Sequence, residues 1–249
     1  MSDASGRADL RKCCGIASVS RYRRVFAALL ACLTIWMLAA PFMPAAHAAG
    51  GRQKNSLVIG FDGKPDVHGI PSPWRVRIRH GSAGVALASH GGETTLRLSC
   101  SNASFGVERP VDVSLETHPT VSWAWLALSL PEAGDVREKR RNDQALQLLF
   151  LFEGGRIISY VWDSNAPEGT IADESVGWPL NLRVKVLVLQ SGREGIGSWH
   201  TVKRNIYADY RAHFREEPPR LVGLRVQTNT QYTAGNAEGL IKEIVFSGS

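Results

Sequence analysis

Apolar and polar residues alternate with a period of two along most of the chain after Leu57, in short runs bounded by Gly, Pro, Asn, Asp and Ser. Successive side chains of a β-strand point to opposite faces, so this alternation predicts strands. The predicted strands are Leu57–Phe61, Trp74–Arg79, Val85–Ser89, Thr94–Cys100, Ser104–Val107, Val111–Glu116, Val121–Leu130, Leu146–Phe152, Ile157–Trp162, Leu182–Leu189, His200–Val202, Leu221–Thr228 and Leu240–Phe246.

Two of these runs predict how their faces are covered. Trp74, Val76 and Ile78 share one face, and the three arginines between and after them share the other, which predicts one core face and one solvated face. The run Val121–Leu130 is apolar on both faces. It is therefore expected to be a central strand that is covered on both sides.

Only one segment has a helical pattern. Within Ile206–Phe214 the aromatic residues fall on one side, Asn205 precedes it as a potential cap, and two prolines follow it. A charged connection, Pro131–Asp143, is longer than the usual link between strands, and long loops in compact folds often carry function.

Many short strands, one short helix and the absence of an internal repeat predict a single all-β domain. The simplest architecture is an antiparallel two-sheet sandwich of jelly-roll type. A closed barrel is the alternative, because the period of two is the same in both.

The N-terminal segment predicts export. Basic residues dominate up to Arg24, an uncharged apolar stretch follows, and Ala46-His47-Ala48 has the small-x-small pattern that signal peptidases accept. We therefore interpret residues 1–48 as a signal peptide and residues 49–249 as the β-sandwich domain, located in the periplasm or secreted.

Three alternatives for this segment stay open. Residues Val25–Ala46 are long enough for an uncleaved anchor, which needs about 20 apolar residues, although prolines interrupt them. The sequence before Cys32 approximates a lipoprotein signal, and Arg23-Arg24 approximates a twin-arginine signal. Contact with a membrane is expected only through this segment, if it is retained.

Removal of residues 1–48 changes the charge and the cysteine content. The segment holds six of the 29 Lys and Arg residues and two of the 23 Asp and Glu residues, so the net charge falls from +6 to +2. A nucleic acid is therefore not an expected partner. Only Cys100 remains of four cysteines, which excludes an intrachain disulfide in the mature chain.

Several stretches together resemble a known family: SWAWLAL, RRNDQALQLLF, ISYVWDSNAPEGT, SGREGIGSWHTVKRNIYADYRAHFREEPP and GLRVQTNTQYTAGNAEGLIKEIVF. They are similar to an exported bacterial family with domain of unknown function 3047, over about Leu57 to Phe246. The block RNIYADYRAHF is the most specific part. The resemblance implies an exported jelly-roll-like domain akin to carbohydrate-binding modules, and it implies no assigned activity.

The chain departs from the family pattern at two places. Asn142-Asp143 stands where the resemblance implies a pair of aspartates, and Asn229–Thr233 stands where it implies a segment of the type D-x-D-x-x-T. Both changes replace a carboxylate by an amide. A cation site in relatives would lose charge here, whereas a structural turn would tolerate the change.

The candidate ligand-binding residues are Trp162, Asp163, Arg204, Asn205 and Asp209. Trp162 and Asp163 end a predicted strand, where an aromatic ring beside polar groups can bind a sugar. The other three combine a guanidinium, an amide and a carboxylate at the start of the helix. The alternative is that Trp162 packs in the core, Arg204 pairs with Asp209, and Asn205 caps the helix.

No catalytic residue, metal ligand or cofactor is predicted, because the sequence contains no nucleophile elbow, phosphate loop or zinc spacing. Carboxylates that could serve a glycosidase include Glu153, Asp163 and Asp209, but they form no recognisable pair. Trp123 and Trp125 could form a sugar-stacking platform, with core packing as the alternative.

Three functions follow, in order of preference. The first is a non-catalytic exported sandwich that binds a glycan or another cell-envelope component. The second is a jelly-roll glycoside hydrolase or polysaccharide lyase, and the third is a structural or accessory protein of an envelope assembly.

Overall fold

A computed structural model describes residues 56–177, 179 and 181–248 of the chain. The predicted signal peptide, residues 1–48, lies outside the described residues. Within this part of the chain, no helix is both long and apolar enough to cross a membrane.

The described residues form two seven-stranded sheets and one α-helix. The first sheet contains β1 (Ser56–Ile59), β3 (Gly84–His90), β4 (Glu93–Ser101), β6 (Thr120–Ser129), β11 (His200–Asn205), β13 (Asn236–Ile241) and β14 (Ile244–Ser247). The second contains β2 (Arg75–His80), β5 (Ser104–Val113), β7 (Leu146–Phe152), β8 (Arg156–Asp163), β9 (Ile171–Val176), β10 (Leu182–Ser191) and β12 (Leu221–Asn229). Helix α1 spans Ile206–Phe214.

The strand order confirms the predicted two-sheet, jelly-roll-like sandwich. In the second sheet the order is β2-β5-β12-β7-β8-β10-β9. In the first, β13 and β14 both pair with β6, which also pairs with β11. The pairs are antiparallel except for β8 and β10, which run parallel because the connection between them carries β9 to the outer edge of the sheet.

The aromatic residues of both sheets meet in the core between them. Trp123 of β6 stacks on Tyr160 of β8 with 5.4 Å between ring centroids, and Trp125 lies 6.4 Å from Trp162. All four side chains are buried. Core packing of Trp123 and Trp125 is therefore confirmed, and an exposed platform of these two residues is excluded.

The predicted helix is confirmed from Ile206 to Phe214, and the Asn205 side chain accepts a hydrogen bond from the amide of Ala208 at 2.9 Å. Strand β9 was not predicted, because it is an exposed edge strand without apolar alternation. The strands predicted as Ser104–Val107 and Val111–Glu116 correspond to one strand, β5. Pro110 is tolerated within it because it lies opposite a register shift of β12, where the missing N–H of proline interrupts no regular hydrogen-bond pattern.

Other predicted strand features differ in detail. The run predicted as Leu240–Phe246 is two strands, β13 and β14, and it is interrupted at Lys242 and Glu243. Trp74, directly before β2, and Val76 of β2 are directed to the core as predicted, but Ile78 is 50% exposed on this edge strand.

The long connection Pro131–Asp143 covers part of the outer face of the second sheet. Its Val136 is buried in a small apolar cluster with Val161 of β8 and Val186 and Val188 of β10. Strand β8 is therefore covered on both sides, by the main core on one and by this loop on the other.

Candidate binding pocket

An open pocket of about 540 Å³ lies at one end of β10. Residues from three places in the chain meet there: the turn between β8 and β9, the end of β10 with the loop that follows it, and the first residue of β11. The lining residues are Glu168, Gln190, Ser191, Glu194, Gly195 and His200.

The loop between β10 and β11 forms the rim, and its glycines determine its shape. Gly192, Gly195 and Gly197 all have positive φ angles, between 70° and 80°. A Cβ atom on Gly195 would lie 2.3 Å from Nε2 of His200. Glycine is therefore needed at position 195 both for its backbone conformation and for the close approach of His200.

The core residue Trp162 holds the pocket in place. The ring of His200 stands edge-on to Trp162, with 4.8 Å between centroids, and its Nε2 lies 3.1 Å from the carbonyl oxygen of Gly195. The indole Nε1 of Trp162 donates to the carbonyl of Gly192 at 3.1 Å. The rim loop is thus anchored at two points to the hydrophobic core.

Gln190 faces the pocket because of an irregularity in β10. The register between β8 and β10 shifts between Val188 and Gln190, and this places Gln190 opposite Trp162. Its Oε1 accepts a hydrogen bond from the indole of Trp125 at 2.5 Å. That bond orients the amide and leaves its two N–H donors available to a ligand.

The structure separates the five residues predicted to bind a ligand. Trp162 and Asp163 follow each other on β8, so they point to opposite faces of the sheet, and both are 0% exposed. Trp162 therefore packs in the core, as the alternative interpretation held, and reaches the pocket only through His200 and Gly192. Its indole has no exposed surface on which a ligand could stack.

Asp163 anchors the long connection on the other face of β8. Its carboxylate accepts hydrogen bonds from the backbone amides of Val136 at 2.9 Å, Asn165 at 2.9 Å and Ala166 at 2.7 Å. Burial nevertheless raises the pKa of this carboxyl above its ordinary value. The bond from Val136 fixes the loop Pro131–Asp143 to the sheet, whereas Asn165 and Ala166 belong to the turn that follows β8.

Arg204 and Asp209 form the internal pair that was the alternative to a ligand site. The guanidinium binds both carboxylate oxygens, at 2.9 and 2.6 Å, and the hydroxyl of Tyr160 donates to the same carboxylate at 2.5 Å. Burial raises the pKa of Tyr160 well above its ordinary value, so the phenol stays protonated as the donor. With Asn205 as its cap, α1 is tied by this cluster to β8 and β11.

The two departures from the family pattern lie in direct contact. The Asp143 carboxylate accepts from the backbone amide and hydroxyl of Thr233, at 2.7 and 2.8 Å, and from the Asn229 amide at 3.1 Å. Asn229 also donates to the carbonyl of Asn142 at 2.6 Å. A carboxylate filled by N–H and O–H donors in this way performs the role of a structural turn.

The described part of the chain contains no cluster of potential metal ligands. No three or more His, Cys, Asp or Glu side chains there are placed to hold a metal ion together.

The pocket itself was missed by sequence reasoning. Glu168, Gln190, Glu194 and His200 belong to no chemical motif. They are brought together by the fold, in which β10 pairs with β8 and His200 begins β11 of the other sheet. The one local signal is the segment SGREGIGSWH, in which three glycines within six residues precede a histidine at the start of a strand. Such a glycine-rich loop between strands indicates a shaped rim.

The comparisons with known proteins give a family and a set of distant structures. A sequence profile described as a protein of unknown function (DUF3047) matches residues 72–245, and no curated protein matches the chain. The xyloglucanase domain of NopAA, a type three effector from Sinorhizobium fredii determined with cellobiose, is 11% identical with a TM-score of 0.46, and the match covers 70% of this chain and 92% of that one.

Endoglucanase Cel12A from Rhodothermus marinus is 11% identical with a TM-score of 0.42, and the match covers 78% of this chain and 99% of that one. A family 12 xyloglucanase from Bacillus licheniformis is 10% identical with a TM-score of 0.40, covering 78% and 100%. The sandwich architecture of the present chain is shown by the pairing of its own strands.

Proposed function

The chain belongs to the DUF3047 family, and we propose that its sandwich domain is a non-catalytic module that binds a glycan of the cell envelope in the pocket at the end of β10. The observation that carries the proposal is the oriented polar lining of this pocket. Gln190, Ser191 and His200 present an amide, a hydroxyl and an imidazole, and sugar hydroxyl groups pair with such donors and acceptors.

Preorganisation supports binding at this place. Gln190 is oriented by Trp125, and His200 by Trp162, so the ligand would not have to order these side chains. None of the five residues predicted from the sequence lines the pocket. In this proposal they support the structure around it, and they are Trp162, Asp163, Arg204, Asn205 and Asp209.

Catalysis is the less favoured alternative. Of the carboxylates suggested by the sequence, Asp163 and Asp209 are engaged by amide and guanidinium donors, and Glu153 lies exposed in a turn after β7. Glu168 and Glu194 do line the pocket, but both are exposed. A glycosidase acid is kept protonated by an enclosed site, which neither of them has.

The N-terminal segment gives the proposed location of the protein in the cell. We propose that residues 1–48 direct the chain to the periplasm or out of the cell, where an envelope glycan is accessible. Sequencing the N-terminus of the exported protein is expected to find Ala49, because the small-x-small pattern ends at Ala48. An intact N-terminus in the membrane fraction would instead show a retained anchor.

The binding function is tested by a glycan array of envelope polysaccharides, with and without calcium, followed by calorimetric titration of the best binder. Gln190→Ala and His200→Ala are each expected to weaken binding about tenfold, which corresponds to the loss of roughly one hydrogen bond. Tyr232→Ala is the matched control, because Tyr232 is an exposed aromatic residue outside the pocket.

Three results would contradict the proposal. Silence across the whole array would favour the accessory protein of an envelope assembly, which co-purification would then identify. Equal weakening by all three variants would show that binding does not depend on the pocket. Release of new reducing ends during the titration would favour the hydrolase.

A further inference from the structure

The pocket carries uncompensated negative charge. Glu168 comes from the turn before β9 and Glu194 from the rim loop, and both line the same pocket. Among the described residues, neither carboxylate has a hydrogen-bond or ion-pair partner, although twelve ion pairs occur elsewhere in this part of the chain. The neighbouring cation of the rim, Arg193, is directed to Glu132 at 2.8 Å.

The remaining groups of the lining do not balance this charge. His200 is the one basic side chain in the lining, and its Nε2 is placed against the carbonyl oxygen of Gly195 at 3.1 Å. Gln190 and Ser191 are neutral. A ligand in this pocket therefore meets two glutamates whose carboxylates accept hydrogen bonds, whereas the Gly195 carbonyl is already placed against His200.

We propose that the ligand is a glycan with free amino groups, such as a polymer of deacetylated hexosamine. This inference rests on the proposed glycan-binding function and names its ligand class. An ammonium group on the sugar supplies both the positive charge and the N–H donors that Glu168 and Glu194 lack. The same carboxylates disfavour uronate and phosphate-bearing glycans, because like charges repel.

The size and composition of the pocket favour a sugar over a simple cation. Its volume of about 540 Å³ is in the range of small-molecule sites, and no set of metal ligands occurs among the described residues. Gln190 adds an amide already oriented by Trp125, which suits a ring hydroxyl beside the amine.

The test compares three oligosaccharides of equal length by calorimetric titration in mildly acidic buffer of low ionic strength: β-1,4-linked glucosamine, its N-acetylated counterpart, and the β-1,4-glucan. The amino form is expected to bind at least about tenfold more tightly than the acetylated form, as two partly exposed ion pairs would provide. The advantage should shrink as salt is added.

Charge-neutral variants locate the effect. Combined Glu168→Gln and Glu194→Gln is expected to abolish the advantage of the amino form while leaving the weaker binding of the acetylated form. Glu132→Gln is the matched control, since Glu132 is an exposed glutamate beside the rim that already pairs with Arg193. It should keep the advantage.

The outcomes separate this inference from the function on which it rests. Equal affinity for the amino and acetylated forms, or tighter binding of a uronate oligomer, would overturn the amino-sugar assignment and leave glycan binding intact. A lysine-rich peptide that competes as strongly as the amino sugar would overturn the assignment to a sugar. Failure of every oligosaccharide to bind would contradict the proposed function itself.

Discussion

Trp162 and His200 meet edge to face, with 4.8 Å between their ring centroids, although one is a fully buried core residue and the other lines an open pocket. The same indole donates to the carbonyl of Gly192, where the rim loop begins. The shape of the pocket is therefore set by the hydrophobic core beneath it. Trp162 is therefore expected to affect the stability of the rim loop, and His200 the binding of a ligand.

Trp162→Phe is expected to lower the free energy of unfolding by about 1–2 kcal/mol, because it keeps an aromatic ring but removes the hydrogen bond to Gly192. Urea unfolding measures this. Trp199→Phe is the control, since the described residues offer no acceptor to the Trp199 indole nitrogen. A loss as large for Trp199→Phe would show that the hydrogen bond of Trp162 does not matter.

Gly195→Ala should reduce glycan affinity at least about tenfold, because its Cβ would displace His200 from its place against the loop. Gly197→Ala is closely matched, since Gly197 has a φ of 80° and a Cβ added there would meet no atom within 4 Å. Both variants carry the same backbone strain of about 1 kcal/mol. Titration of both proteins with the same glycan separates strain from displacement, and equal affinities would contradict the role of His200.

Asn229→Asp should destabilise the fold by roughly 3 kcal/mol at neutral pH, because it places a second buried carboxylate about 3.1 Å from that of Asp143. The repulsion raises the pKa of the new carboxyl in the folded state, so the loss of stability should grow as pH rises from about 4 to 7. Asn229→Ala is the control, because it removes the same donor bonds to Asp143 and Asn142 without adding a carboxylate. A loss independent of pH would argue against carboxylate repulsion.

The pKa of Asp135 is shifted in the opposite direction, downward, in the folded protein. Its carboxylate accepts from the Arg137 guanidinium at 2.9 and 2.6 Å, and this bond lowers the pKa of Asp135. A lowered folded pKa gives stability that is present above the unfolded pKa and lost as pH falls through the folded value. The difference in unfolding free energy between wild type and Asp135→Asn should therefore be largest near neutral pH and shrink below about pH 4. A difference that is constant across this range would contradict the pairing.

Local patterns in the sequence predict much of the fold. The helix Ile206–Phe214 is predicted to the residue, because its cap and its terminating prolines are local signals. Strands with one buried face are found by their period of two. Strand β9 is not, since an edge strand whose side chains are mostly exposed has no need of apolar alternation.

The pocket is beyond such patterns for a physical reason. Alternation places Tyr160 and Trp162 on one face of β8, but both faces of this strand are covered, so alternation cannot say which face reaches a site. Gln190 faces the pocket because of a register shift, and Glu168 reaches it because β8 and β10 run parallel. These are pairings between distant segments, which no local pattern contains.

The central claim is that a glycan binds at the end of β10, and side-chain resonances in a ¹H–¹⁵N spectrum test it most directly. Titration with the binding oligosaccharide is predicted to shift the Gln190 amide and the Trp125 indole N–H, which are joined by one hydrogen bond beside the pocket. The amides of Gln147 and Gln227, on the outer face of the second sheet, should stay in place. Shifts confined to Gln147 and Gln227, with Gln190 and Trp125 unmoved, would contradict the account.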